Sequence, residues 1–214
     1  MTAKVYPDGP VASGALNFTL ADAPNASSYW EAIDLFFQQM PSLVLDRNSL
    51  QLEIENNTFN VFGITLPDQD VSVLQPLAAP YLTELERLDI SYSFGTSPLA
   101  SFVDYFASIM GPLPYGPYTP NEIWVNRLVP LSVVLEPTAN SQLMEAFNGC
   151  GRRHLPHWLQ RLTAFWDYEA TLEENLAVKE KLVSVHTPAI EAATPGSGVY
   201  LNEVDPWYRG DWKQ

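Results

Sequence analysis

Between Leu50 and Leu66 the chain alternates apolar and polar residues with a period of two, and this run constrains the fold more than any other stretch. Leu50, Leu52 and Ile54 fall on one side of an extended chain, and Gln51, Glu53 and Glu55 on the other, because successive strand side chains point to opposite faces. Residues 59–66 answer across Asn56-Asn57-Thr58, which predicts a β-hairpin. A hairpin with one apolar side needs a cover, and helical patterns flank it. Trp30, Ile33, Phe36, Phe37 and Met40 recur at helical spacing behind a cap at Ser27 or Ser28, with Pro41 as the stop. Further helices are predicted within 71–88, over 99–110 behind Pro98, over 138–148 and over 172–185. The last is acidic at its start and basic toward its end, as the macrodipole favours. Strands are predicted at Val5-Tyr6 and over 15–20, 90–94, 123–135 and 161–168. Hairpins mixed with long helices make the class α+β, an antiparallel sheet with helices packed on one face and the other face open to a ligand or partner.

At 214 residues the chain reads as a single domain, and a core of this size buries roughly 70% of the unfolded surface. A hydrophobic content of 46% rules out wholesale disorder. The net charge of −14 repels phosphate backbones and anionic headgroups, so neither nucleic acid nor membrane is an expected partner. Cys150 is the only cysteine, which excludes an intramolecular disulfide and a thiolate metal cluster. The start has no apolar core like that of a signal peptide, and the expected location is cytoplasmic. The sequons at Asn17, Asn25 and Asn56 are then read as unused, or as relics of a secreted ancestor.

Several residues suit chemistry. Glu53 and Glu55 lie about 7 Å apart along one strand face, close enough for one carboxylate to act as general acid or base, or simply an ordinary solvated face. Trp124 and Asn126 share a face of their strand with Leu128. Either they stack and orient a planar, oxygenated ligand, or they are packed beneath the C-terminal segment. Arg127 faces inward and needs an anionic partner, with Glu203 or Asp205 expected. Tyr92, sharing a face with Phe94, is a donor for a developing oxyanion or a core residue. The proline-rich loop 111–120, carrying Tyr115 and Tyr118, is expected to form a rim over a ligand. Arg152, Arg153, His154 and His157 make the basic cluster, read as a surface loop; Pro156 breaks any helical His-x-x-His pair, so no metal site is expected.

The C-terminal run Pro195-Gly196-Ser197-Gly198-Val199-Tyr200-Leu201-Asn202-Glu203-Val204-Asp205-Pro206-Trp207, ending in Asp211-Trp212, opens on a turn and is too apolar for a loose tail. It is expected to dock back onto the domain. In Gly198, Tyr200, Asn202, Glu203, Asp205 and Asp211-Trp212 it resembles, without a gap, the C-terminal signature of the berberine-bridge-enzyme-like FAD-linked oxidoreductases of the vanillyl-alcohol-oxidase superfamily. Residues 3–8 resemble the strand leaving that family's flavin domain, and Asn126-Arg127-Leu128-Val129-Pro130 its central substrate-domain strand. The resemblance implies a substrate-binding domain whose open sheet face covers the flavin and encloses the substrate. It also implies that the FAD-holding module lies outside these residues. FAD is then expected only if a partner chain supplies it, and no other cofactor is expected.

Three functions follow. The leading one is a flavin-free enzyme of secondary metabolism that cyclises or isomerises a planar polyketide, terpenoid or alkaloid, including by a Diels–Alder-type pericyclic closure. Its expected catalytic residues are Tyr92, Asn126, Arg161 and His157, and its substrate-binding residues Trp124, Glu53, Tyr115 and Tyr118. The alternatives are half of a split FAD-dependent oxidoreductase and a non-catalytic ligand binder. An open face also predicts a homodimer.

Overall fold

The structure, a computed structural model, describes residues 8–44, 48–55, 57–111, 122–147, 153–156, 159–165 and 167–200. Seven strands form one antiparallel sheet: β1 (Val11–Thr19), β2 (Ser49–Ile54), β3 (Thr58–Pro67), β4 (Ser93–Leu99), β5 (Glu122–Leu128), β6 (Arg153–Pro156) and β7 (Leu159–Phe165). Their order across the sheet is β4-β1-β3-β2-β6-β7-β5. The β2–β3 hairpin forms as the alternation requires, with Leu52 paired to Val61 and Ile54 to Phe59.

Most helices cover one face. α1 (Ala26–Leu43) starts at Asn25, whose side chain accepts from the Ser28 N–H at 3.0 Å. Pro41 lies inside its last turns rather than ending it. α2 (Leu74–Arg87) packs beside it, and Tyr81 donates to the Ala32 carbonyl at 2.9 Å. Between them and the sheet sits an aromatic core. Phe18 stacks on Phe59 at 4.8 Å, and Phe36 meets Phe59 and Tyr81 edge-on at 4.9 and 5.0 Å. All four rings are buried, and each removes on the order of 2 kcal/mol of apolar surface cost from water. α4 (Leu131–Leu135), α5 (Pro137–Phe147) and α7 (Thr187–Ala193) extend the same layer. Among the described residues no helix is long and apolar enough to cross a membrane.

Five local expectations change. The strand predicted at 90–94 runs over Ser93–Leu99 instead, so Pro98 ends a strand and Ser101 caps α3 (Phe102–Met110). The strand predicted over 123–135 stops at Leu128, because Pro130 has no N–H for the ladder and instead opens α4. Residues 153–156 of the basic cluster, expected as loop, form β6 between β2 and β7. The last predicted helix is α6 (Leu172–Lys181) followed by a π-helical turn at Leu182–His186. Finally, α3 lies on the opposite sheet face from α1 and α2. Tyr105 and Ile109 of α3 sit over Gly63, and a Cβ there would lie 2.6 Å from the Tyr105 hydroxyl and 3.1 Å from Ile109 Cδ1. The expectations at Val5-Tyr6, Tyr115, Tyr118, Cys150, His157 and 201–214 lie outside the described residues.

Candidate active site on the outer sheet face

The ladder registers place polar residues in one transverse row. Ser93 pairs with Asn17, Asn17 with Asn60, Asn60 with Glu53, Glu53 with His154, His154 with Arg161, and Arg161 with Asn126. Directly opposed residues of an antiparallel pair share a face. The row therefore crosses the face turned away from α1 and α2, where Asn17 is exposed and Asn60 and Glu53 are half-buried. Neighbouring strands are about 4.8 Å apart, so Glu53 and Asn126 stand roughly 14 Å apart along the sheet. That is the length of a small ligand.

Three residues expected at a site, Glu53, Arg161 and Asn126, thus share this row, and Trp124 lies two positions from Asn126 on β5, paired with Thr163. His154 joins them, which local pattern did not reveal because its strand was taken for loop. Tyr92 does not join them. It precedes β4 at the opposite sheet edge from β5, packs against the core and donates to Glu86 at 3.3 Å. Partial burial pushes its phenol pKa up, with the Glu86 carboxylate adding to the effect. The structure thus places Tyr92 apart from the row, hydrogen-bonded to Glu86.

Asn126 answers the choice its sequence left open. It is 7% exposed, its Oδ1 accepts from the Tyr200 N–H at 2.6 Å, and its Nδ2 donates to the Tyr200 carbonyl at 3.2 Å. One side-chain amide therefore pairs with both backbone polar groups of Tyr200 in the C-terminal run. The Leu128 N–H donates to the Gly198 carbonyl at 2.9 Å, and the Ser197 hydroxyl donates to the Leu128 carbonyl. Gly196, at φ 72°, makes the turn that brings the run alongside β5. The docking expected for this run holds for its described part, up to Tyr200.

Arg127 does face inward, with its side chain 12% exposed. Its Nε and one terminal nitrogen donate to the Thr194 hydroxyl and carbonyl, both at 3.1 Å, and Glu191 lies 3.8 Å away. These are its partners among the described residues, and the expected Glu203 and Asp205 lie outside them. A cavity of about 10 Å³, one water's worth, lies beside this pair, lined by Val125, Leu162 and Ile190. A second, of about 560 Å³, opens on the helical layer between Gln38, Val44, Pro80, Leu131 and Leu135, and has no cationic side chain in its lining.

On the outer face α3 closes over β1, β3 and β4. The Tyr105 and Thr65 hydroxyls are both buried there and neither makes a hydrogen bond of ordinary geometry. Burial raises the Tyr105 phenol pKa, with a smaller downward pull from Thr65.

No family model matches the chain. It is 32% identical to the FAD-linked oxidoreductase orf1 of Neocamarosporium betae over 96% of its own length and 40% of the relative's. It is 30% identical to the bifunctional decalin synthase calF of Penicillium decumbens over 99% of its length and 42% of the relative's. The crystal structure of the VAO-type flavoprotein VAO615 from Myceliophthora thermophila superposes with a TM-score of 0.87 at 26% identity, covering 99% of this chain and 43% of that one. The wild-type BBE-like 1 protein of Physcomitrella patens shares the fold with a TM-score of 0.64. The chain spans about two fifths of the length of the relatives it matches. The chain's relatives are thus FAD-linked oxidoreductases of the VAO type, matched along nearly all of its own length and about two fifths of theirs.

Proposed function

We propose that this chain is a small-molecule enzyme of secondary metabolism whose outer sheet face folds an unsaturated substrate for a cyclisation, isomerisation or pericyclic closure. The observation that carries the reading is the transverse row, in which Glu53, His154, Arg161 and Asn126 occupy successive paired backbone positions. A pericyclic closure turns π bonds into ring σ bonds, and its atoms and electrons balance within the substrate. The protein then has to hold a reactive conformer and stabilise charge drawn toward a carbonyl, which preorganised donors achieve. Arg161 is the donor we assign to that carbonyl, and Glu53 accepts from a substrate hydroxyl. Asn126 positions the C-terminal run. A relative named as a decalin synthase, a maker of a fused bicycle, supports the ring-forming reading.

FAD, which the family implies, carries a diphosphate that needs backbone N–H groups or cations around it. The larger described cavity has neither a cation nor a glycine in its lining, which supports the reading that this cavity does not hold the dinucleotide. The test is turnover of a linear polyene bearing a conjugated carbonyl, followed by mass spectrometry and chromatography with and without FAD. Equal conversion to an isomer of the same mass in both supports the reading. A product two mass units lighter, formed only when a flavoprotein is added, supports the second reading instead, half of a split oxidoreductase. That reading rests on the chain's likeness to FAD-linked oxidoreductases.

A further inference from the structure

The helical layer, on the far side of the sheet from the polar row, holds a cavity that the proposed reaction does not use. We infer that this space of about 560 Å³ between α1, α2 and α4 binds a neutral ring compound bearing a hydroxyl group.

Its size and walls argue the body of the ligand. Small-molecule sites span roughly 300–1,000 Å³ and are lined mainly by apolar groups, with a few polar ones that fix orientation. Here Pro41 and Val44 at the end of α1, Pro80 of α2, and Leu131 and Leu135 of α4 form the walls. Leu131 is 41% and Leu135 59% exposed, so both keep apolar surface in water that a ligand would cover. Pro41 and Pro80 sit within helices with φ fixed by their rings, which makes those two walls stiff.

The polar rim argues the hydroxyl. Among the described residues the lining holds no charged side chain, so an ionic ligand would lose water without meeting a counter-charge. The polar groups that are present lean toward acceptors. The Ser42 hydroxyl donates its proton to the Gln39 carbonyl at 2.7 Å, which leaves the Ser42 oxygen as an acceptor. Gln38 donates through Nε2 to the Asp34 carboxylate at 3.3 Å, and its Oε1 can only accept. A proline has no N–H, so Pro41 and Pro80 leave the carbonyls of Phe37 and Pro76, four residues back, without their usual helical donor. A ligand O–H serves such acceptors; an ether oxygen does not.

The experiment titrates three fluorescent compounds with one ring system, 1-hydroxypyrene, 1-methoxypyrene and pyrene-1-carboxylate, into the full chain. Leu135→Asp, and Gln39→Leu combined with Ser42→Ala, are titrated alongside, with circular dichroism checking that each is folded. None of the three positions is buried, so the fold should tolerate the changes. The hydroxyl compound should bind at least ~10-fold more tightly than the other two, the worth of one hydrogen bond. Leu135→Asp should weaken its binding ~10-fold or more, and the paired substitution should cut its advantage over the methoxy compound at least ~3-fold. Equal affinity for the hydroxyl and methoxy compounds, tighter binding of the carboxylate, or an advantage untouched by the paired substitution overturns the hydroxyl assignment and the inference with it. Indifference to Leu135→Asp, or no binding at all, overturns the site. None of these results bears on the sheet-face reading, whose test is turnover.

Discussion

Gly63 is where the outer face is most tightly filled, and replacing it with alanine separates packing from backbone effects. In an unobstructed strand Gly→Ala stabilises by about 0.4–1 kcal/mol, because it restricts the unfolded chain. Here the added Cβ would lie 2.6 Å from the Tyr105 hydroxyl and 3.1 Å from Ile109 Cδ1, with the ring carbon behind the hydroxyl at 3.7 Å. Overpacking of that kind costs about 1–3 kcal/mol, so Gly63→Ala should destabilise by a net ~0.5–2 kcal/mol. The clash is almost entirely one oxygen. Tyr105→Phe removes it, and since that hydroxyl is buried without a well-formed hydrogen bond its loss alone should change stability by less than about 1 kcal/mol. The double variant should then recover most of the Gly63→Ala loss, leaving only a small accommodation at Ile109. Urea unfolding of the four proteins gives the coupling energy directly. Strict additivity, with the double variant as unstable as the two losses summed, would refute the placement of α3 on this face.

Other consequences follow from the same contacts. Asn126→Leu removes both bonds to the Tyr200 backbone, so hydrogen exchange at the Tyr200 N–H should rise by ~10-fold or more while the global midpoint moves little; unchanged exchange would mean the amide does not hold the run. Arg127→Met removes the guanidinium's two hydrogen bonds to Thr194 and its contact with Glu191 and should cost about 2 kcal/mol in denaturant unfolding, with a loss below ~0.5 kcal/mol contradicting the inward placement. Hydrogen bonds from the Ala139 and Thr138 N–H groups lower the Glu136 pKa, and bonds from Thr171 lower that of Glu174. A lowered folded-state pKa contributes stability above the ordinary carboxylate value of 4.5 that is lost as pH falls through the folded value. Glu136→Gln with Glu174→Gln should therefore flatten the fall in melting temperature below that pH and leave its shape above pH 6 unchanged. Burial raises the Tyr81 phenol well above its ordinary value of 10.0, so stability should also fall as pH climbs past 10, and Tyr81→Phe should remove part of that slope.

Periodicity carried much of the fold, and the failures share a cause. The 50–66 hairpin and α1 are local, with partners a few residues away, and their alternation or helical spacing reveals them. β6 is four residues long and earns its place by pairing with β2 and β7, which no local pattern encodes. The Leu128 stop of β5 turns on Pro130, whose missing N–H outweighs the apolar run beyond it. α3 has an apolar pattern that fits either face of a sheet, and only the dimple at Gly63 decides which. The same limit applied to the site. Glu53, Arg161 and Asn126 each stand out on local chemistry, but their common row exists only through the non-sequential β2–β6 and β5–β7 pairings with β6–β7 between them. Tyr92 looked equivalent to them because its distance across the sheet was invisible. Asn126 was correctly read as facing the C-terminal run or a ligand; the choice between them needed the Tyr200 backbone.

The most direct test of the central claim, ring or bond rearrangement on a face that holds no dinucleotide of its own, is a visible absorption spectrum of the purified chain. It should be taken before and after incubation with FAD and removal of free cofactor. The account predicts a colourless protein in both, still able to convert a polyene substrate to an isomer of equal mass. A flavin band retained at one equivalent per chain would contradict it.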